Sequence, residues 1–126
     1  MDPITAAIIA ALTAGVTEIG EKAIVDGYEA LKALLMKKFG KDSDIAQAVE
    51  DLEMKPDSTA RRAVLQEEIR TVNAEQDPDL LQAAQTLLAK IKDQPGGQAV
   101  VNQVVTGDRN IFSGTGDVTV TNYPKD

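Results

Sequence analysis

The chain has 126 residues, a net charge of −7, and neither Cys nor His. This excludes disulfides, thiolate and imidazole metal sites and His-based acid–base chemistry. The acidic balance argues against nucleic acid, whose binders cluster Lys and Arg, and against simple electrostatic attraction to anionic lipid.

Hydrophobic content is 43% but aromatic content only 3%, so one small core must be built from Leu, Ile, Val and Ala. Lack of Cys fits a reducing compartment. The first stretch, Asp2 to Thr17, reads DPITAAIIAALTAGVT and carries no charge after Asp2. Asp2 is a good N-cap and Pro3 suits the first helical position. A helix over Pro3 to Thr17 is apolar on nearly every side, so it is either fully buried or made for lipid. The lipid-facing candidates are Ile4, Ile8, Ile9, Leu12 and Val16. Ala6, Ala10 and Ala14 form one small-residue ridge, and Ala7, Ala11 and Gly15 another, suited to close helix association. No basic n-region precedes it, which disfavours a secretory signal. At 1.5 Å per residue it reaches about 22 Å, short of a hydrocarbon core of about 30 Å. The expectation is the central helix of a resting bundle.

Glu18 to Phe39 reads as a second helix, with Ile24, Tyr28, Leu31 and Leu35 at helical spacing. Gly20 and Gly27 interrupt it, and a break is expected between Gly15 and Gly20. Lys37, Lys38 and then Gly40 mark its end. A third helix runs from Ser43 to Met54, capped by Asp42 or Ser43, with Ile45, Val49 and Leu52 inward; Glu50, Asp51 and Glu53 read as a solvated face. Lys55-Pro56-Asp57 is a stop followed by a new cap. The fourth, Ser58 to Asn73, has Ala60, Val64, Leu65, Ile69 and Val72 on its expected buried side. Arg61 and Arg62 point away with Glu67 and Glu68. Asp77-Pro78 repeats the Asp2-Pro3 start and opens a fifth helix, Pro78 to Lys92, striped by Leu80, Leu81, Ala84, Leu87, Leu88 and Ile91. The predicted fold is therefore an all-α bundle of four to five helices over residues 1–93. Residues 94–97 are a Pro- and Gly-containing linker.

Residues 98–126 have a different composition. Gln98 to Asn122 contains no Leu, Glu or Lys. Ala99 to Thr106 and Asp117 to Thr121 read as short β runs around a Gly-punctuated centre. Gly107-Asp108 and Gly116-Asp117 suggest a turn in each of two stacked rungs. High β propensity with few charges is the mark of a cross-β segment, and Asn102, Gln103, Asn110 and Asn122 are placed to form amide ladders between copies. An ordinary hairpin or an unstructured tail is the alternative, although a lone two-stranded hairpin is marginal in water.

No catalytic constellation emerges. Ser43, Ser58 and Ser113 sit in turn or cap contexts with no base in view. Gly114-Thr115-Gly116-Asp117 has neither a following helix nor a Lys, and reads as a turn rather than a phosphate loop. Asp42 with Asp44, and Asp77 with Asp79, lack calcium-loop spacing and are better explained as caps. The expectation is no enzyme, no cofactor and no metal.

The N-terminal MDPITAAIIAAL, the AIVDGYEALKALL helix, the KPDS turn and the QDPDLL start resemble the bacterial Bell domain, a relative of fungal HeLo and HELL domains and more distantly of the four-helix killer domain of the necroptosis effector MLKL. The resemblance spans roughly Met1 to Asp93. The tail resembles bacterial amyloid signalling motifs and, more loosely, RIP homotypic interaction motifs, through Gln103, Val104, Val105, Gly107 and Asn110; Val105-Thr106 intervene where that core has Gly directly. The Gly-Asp repeats make the bacterial motif the better match, with Asp108, Ile111, Gly114, Gly116, Asp117, Val118 and Val120 completing it.

The resemblance implies a cell-death effector. A nucleotide-binding signalling NTPase of the NLR-like STAND type, carrying a matching motif, would template the tail into a homo-oligomeric amyloid. The N-terminal helix would then leave its bundle and permeabilise membrane lipid. Location would be cytoplasmic at rest and the cell membrane on activation. The competing class is a non-lytic adaptor whose bundle stays folded and recruits a partner protein.

Overall fold

The computed structural model describes residues 2–15 and 21–104. It is all-helical, with no strand among the described residues. Helix α1 is Pro3–Thr13, α2 Lys22–Phe39, α3 Asp44–Met54, α4 Thr59–Thr71 and α5 Pro78–Lys92, with a 3-10 turn, Ala74–Gln76, before α5. A further helical run, α6, covers residues 97–104.

Local chemistry sets most of these boundaries. Asp2, Ser43, Ser58 and Asp77 each cap a helix through a side-chain oxygen that accepts a backbone N–H, satisfying donors that the first turn leaves unpaired. Ser43, rather than Asp42, caps α3. Helix α5 has the bounds its sequence pattern predicts. Helix α1 is shorter than expected. It stops at Thr13, with Ala14 as its C-cap and Gly15 at φ +84°, a left-handed turn that glycine adopts without strain. Helix α2 begins at Lys22 rather than Glu18. Val16, and the expected break from there to Gly20, lie outside the described residues.

Helix α1 is the centre of the bundle. It packs chiefly against α5 and also touches α2, α4 and the 3-10 turn. Helix α2 runs antiparallel to α5: Gly27 near its start lies against Leu87 and Lys90, and Lys38 near its end pairs with Asp77 at 2.8 Å. Helix α1 runs parallel to α5, since Ala14 and Ile91 line the same groove. Helices α3 and α4 pack mainly on each other. The core draws Ile24, Tyr28, Leu31 and Leu35 from α2, Ile45, Val49 and Leu52 from α3, Leu65 and Ile69 from α4, and Leu80, Ala84, Leu87 and Ile91 from α5.

Two expectations about α4 are corrected. Ala60, Val64 and Val72 are exposed, Val64 by 51%, because α3 and α1 cover only the stripe through Leu65 and Ile69. Arg61 and Arg62 do not simply point away. Arg61 Nη1 donates to the Asp51 carbonyl at 2.6 Å and Arg62 Nε to the Pro56 carbonyl at 2.8 Å, so they serve the end of α3 and the turn after it.

The largest correction concerns the start of the tail. Ala99 to Val104 is helical, not extended, and Val101 and Val104 join the core. The packed body thus continues past Gly97, which is itself buried. A Cβ on Gly97 would lie 1.6 Å from the Ile91 carbonyl oxygen, so only glycine lets the chain fold back here. Burial of two valines outweighs the β propensity of the run, which is a weak preference when packing disagrees. The second expected β run, Asp117 to Thr121, lies outside the described residues.

Candidate membrane-effector helix

Helix α1 owes its start to Asp2. One carboxylate oxygen accepts the Thr5 N–H at 2.8 Å and the other accepts the Thr5 hydroxyl at 2.8 Å. Thr5 is fully buried, and this bond is how its hydroxyl tolerates a dry site. Near the other end the Thr13 hydroxyl donates to the Ile9 carbonyl at 2.8 Å.

Between these ends nine consecutive residues, Ile4 to Leu12, are buried. Consecutive residues on a helix point in all directions, so α1 is enclosed all round. Of the predicted lipid-facing set, Ile4, Ile8, Ile9 and Leu12 are all buried here. Of the helix-association set, Ala6 and Ala10 are buried with them, whereas Ala14 is exposed and Gly15 half-buried. The resting bundle uses both sets at once. Eleven residues of helix span about 16 Å, and among the described residues no helix is long and apolar enough to cross a membrane.

The predicted tail motif divides between described and undescribed chain. Gln103 and Val104 lie on α6. Val105, Gly107, Asp108, Asn110, Ile111, Gly114, Gly116, Asp117, Val118 and Val120 lie outside the described residues. Helix α6 starts at the end of the bundle where α1 stops: Ala14, Ile24, Ile91, Pro95, Gly97 and Val100 line one groove there.

Sequence reasoning missed one polar cluster. Glu53, expected on a solvated face, accepts three hydrogen bonds from α2: from the Tyr28 hydroxyl at 2.5 Å, and from Lys32 Nζ at 3.0 and 2.8 Å to its two oxygens. The Glu53 and Lys32 side chains are only 21% and 27% exposed. Burial, aided by the Glu53 carboxylate, pushes the Tyr28 phenol far above its ordinary value, so it stays a donor at any physiological pH. Tyr28 at a core position of α2 was the available signal, because a buried tyrosine needs a partner for its hydroxyl. At the opposite end of α2, the Lys38 hydrogen bond holds the Asp77 carboxyl below the usual carboxylate range.

A helical bundle closed around an uncharged helix is the setting for the comparison with known families. The family model for the Het-E N-terminal domain matches residues 1–125. The chain belongs to that family. It is accordingly a HeLo-like cell-death domain. The match runs through nearly all of the chain, the tail included. No curated protein and no solved structure matches.

Proposed function

We propose that this HeLo-like chain kills by membrane permeabilisation, with α1 as the effector and the C-terminal segment as the trigger. The observation that carries the reading is the burial of nine consecutive residues, Ile4 to Leu12, on an uncharged helix. A bundle core needs one apolar stripe per helix; α1 is apolar all round, which fits a second environment in lipid. The trigger is homotypic β-assembly of the tail, templated by a nucleotide-binding STAND-type NTPase with a matching motif. The protein then moves from the cytoplasm to the cell membrane. The partial match to bacterial Bell domains and their amyloid motifs belongs to this proposal.

The position of α6 supports a link between trigger and effector. Gln103 and Val104 belong both to the proposed β motif and to the packed helical run. They cannot occupy both at once, so assembly withdraws Val104 from the core and unwinds the run that starts beside the end of α1. Assembly also gathers many copies at one surface, and this raises the effective concentration of a helix too short to act alone. The adaptor reading draws on that shortness: about 16 Å of helix is better suited to staying folded and recruiting a partner than to spanning a bilayer of about 30 Å.

Leakage from assembled wild-type protein separates the two, since a membrane effector releases dye from liposomes and an adaptor does not; Ile8→Lys then tests the role of α1. A lysine at a membrane-helix centre costs about 2.5–3.5 kcal/mol on insertion scales, and at a fully buried site it also weakens the bundle. If α1 acts only by holding the bundle closed, the variant leaks dye from liposomes faster than wild type. If α1 is the effector, the variant assembles at least as fast yet does not leak. Leakage at or above the wild-type rate from assembled Ile8→Lys protein removes α1 as the effector, and absence of leakage from assembled wild-type protein removes the membrane reading.

A further inference from the structure

Helix α1 is enclosed by two different kinds of neighbour. Helices α5 and α2 pack on each other and on α1. On the remaining side lies α4, which belongs with α3. Among the described residues neither α3 nor α4 packs substantially against α5. Helix α3 also packs against α2, so the α3–α4 hairpin is a unit laid over α1 and α2 rather than a part woven through the bundle.

The hairpin is tied strongly to itself. Its two helices share their apolar stripes, and the Arg61 and Arg62 bonds to the Asp51 and Pro56 carbonyls fasten α4 to the end of α3 and the following turn. Its polar tie to the rest is narrow. Among the described residues, every side-chain hydrogen bond and ion pair between the hairpin and the other helices converges on Glu53, through Tyr28 and Lys32. The chain enters and leaves the hairpin at two left-handed residues, Gly40 at φ +97° and Asn73 at φ 56°. Hinges are a few residues at element ends that absorb large backbone changes, and these two stand at the two points where a swinging hairpin needs them.

We propose that the α3–α4 hairpin is a lid that swings off α1 about Gly40 and Asn73, and that Glu53 is its latch. The proposal rests on the membrane-effector reading and specifies which face of α1 is uncovered first: the face under α4. Helix α1 remains seated on α5 and α2 while that face opens. Release then proceeds through a partial opening of the bundle, as local opening units do in other domains, and not through its complete unfolding.

Native-state hydrogen exchange on the full chain, before any assembly, reads the lid alone. Glu53→Ala removes all three bonds to α2. Amides of α3 and α4 should exchange at least ten times faster than in the wild type, while those of α5 change less than threefold. Equal acceleration in α5 means that the bundle opens only as a whole, and overturns the lid. A second variant closes it. Lys32→Cys with Glu53→Cys places two thiols in a chain that has no other, and a reducible bis-methanethiosulfonate bridges them. The bridged protein should assemble at the reduced protein's rate yet release dye from phosphatidylglycerol–phosphatidylethanolamine vesicles at under a tenth of the rate seen after reductant. Full leakage from the bridged protein overturns the lid and leaves the membrane reading intact. Absence of leakage from both forms, with the exchange result as expected, removes the membrane reading and leaves the lid standing.

Discussion

Helices α1 and α5 begin alike and are used differently. Each opens with an Asp cap followed by Pro, and they lie side by side in parallel. Helix α5 buries Leu80, Ala84, Leu87 and Ile91, one stripe at helical spacing, and keeps Lys90 and Lys92 in its last turn. Helix α1 buries every residue from Ile4 to Leu12 and has no charge in its last turn. Helix α5 is therefore finished as a component of a water-soluble bundle, since its outer face is already polar. Helix α1 has no face that prefers water. It is held in place by being covered, and whatever uncovers it exposes apolar surface to water.

Truncating the two helices tests this contrast most strongly. Leu87→Ala and Ile8→Ala each remove a fully buried aliphatic side chain and should each lower stability by about 2–5 kcal/mol, measured by urea unfolding. Their effects on leakage should differ. Leu87→Ala loosens the bundle and leaves α1 intact, so leakage from liposomes rises. Ile8→Ala also weakens α1 in lipid, so leakage rises less or falls. Equal increases would place both helices in the same structural role.

Gly97→Ala sharpens the comparison at the end where both helices stop. The added methyl meets the Ile91 carbonyl, and overpacking of this kind costs about 1–3 kcal/mol. Displacing α6 should lower the melting temperature and shorten the lag before assembly, because Val104 is freed from the core. A lower melting temperature with an unchanged lag would separate α6 from the trigger.

The smallest effect is expected at the start of α5. The Lys38 hydrogen bond depresses the Asp77 carboxyl relative to the unfolded chain. A depressed value means the unfolded state takes up the proton first. The contribution is therefore present above the ordinary carboxylate value of about 3.9 and is lost as pH falls through the lower folded value. Asp77→Asn should flatten the acid limb of the stability profile below about pH 4 and leave neutral behaviour nearly unchanged. Both side chains are about a quarter exposed, 27% and 26%, so salt should screen the effect in part.

Much of this fold is legible in the sequence because its signals are local. Asp77-Pro78 and the Leu80–Ile91 stripe locate α5 to the residue, Ser43 and Ser58 mark α3 and α4, and the uncharged run after Asp2 places α1 at the centre. Each depends only on residues a few positions apart. The burial of Ile4, Ile8, Ile9 and Leu12 in a central helix was legible for the same reason. The tertiary structure alone decided which of two permitted states each ambiguous residue takes. Ala99 to Val104 has the composition of a strand, but Val101 and Val104 find a core to enter, and packing overrides propensity. Glu53 has the spacing of a surface acid, but Tyr28 and Lys32, over twenty positions earlier in the chain, make it the tie between α2 and α3. Val64 and Val72 have the spacing of a buried face, yet among the described residues no helix lies over them. Short-range pattern sets a helix and its ends; burial and pairing depend on what the rest of the chain brings alongside, and no local pattern records that.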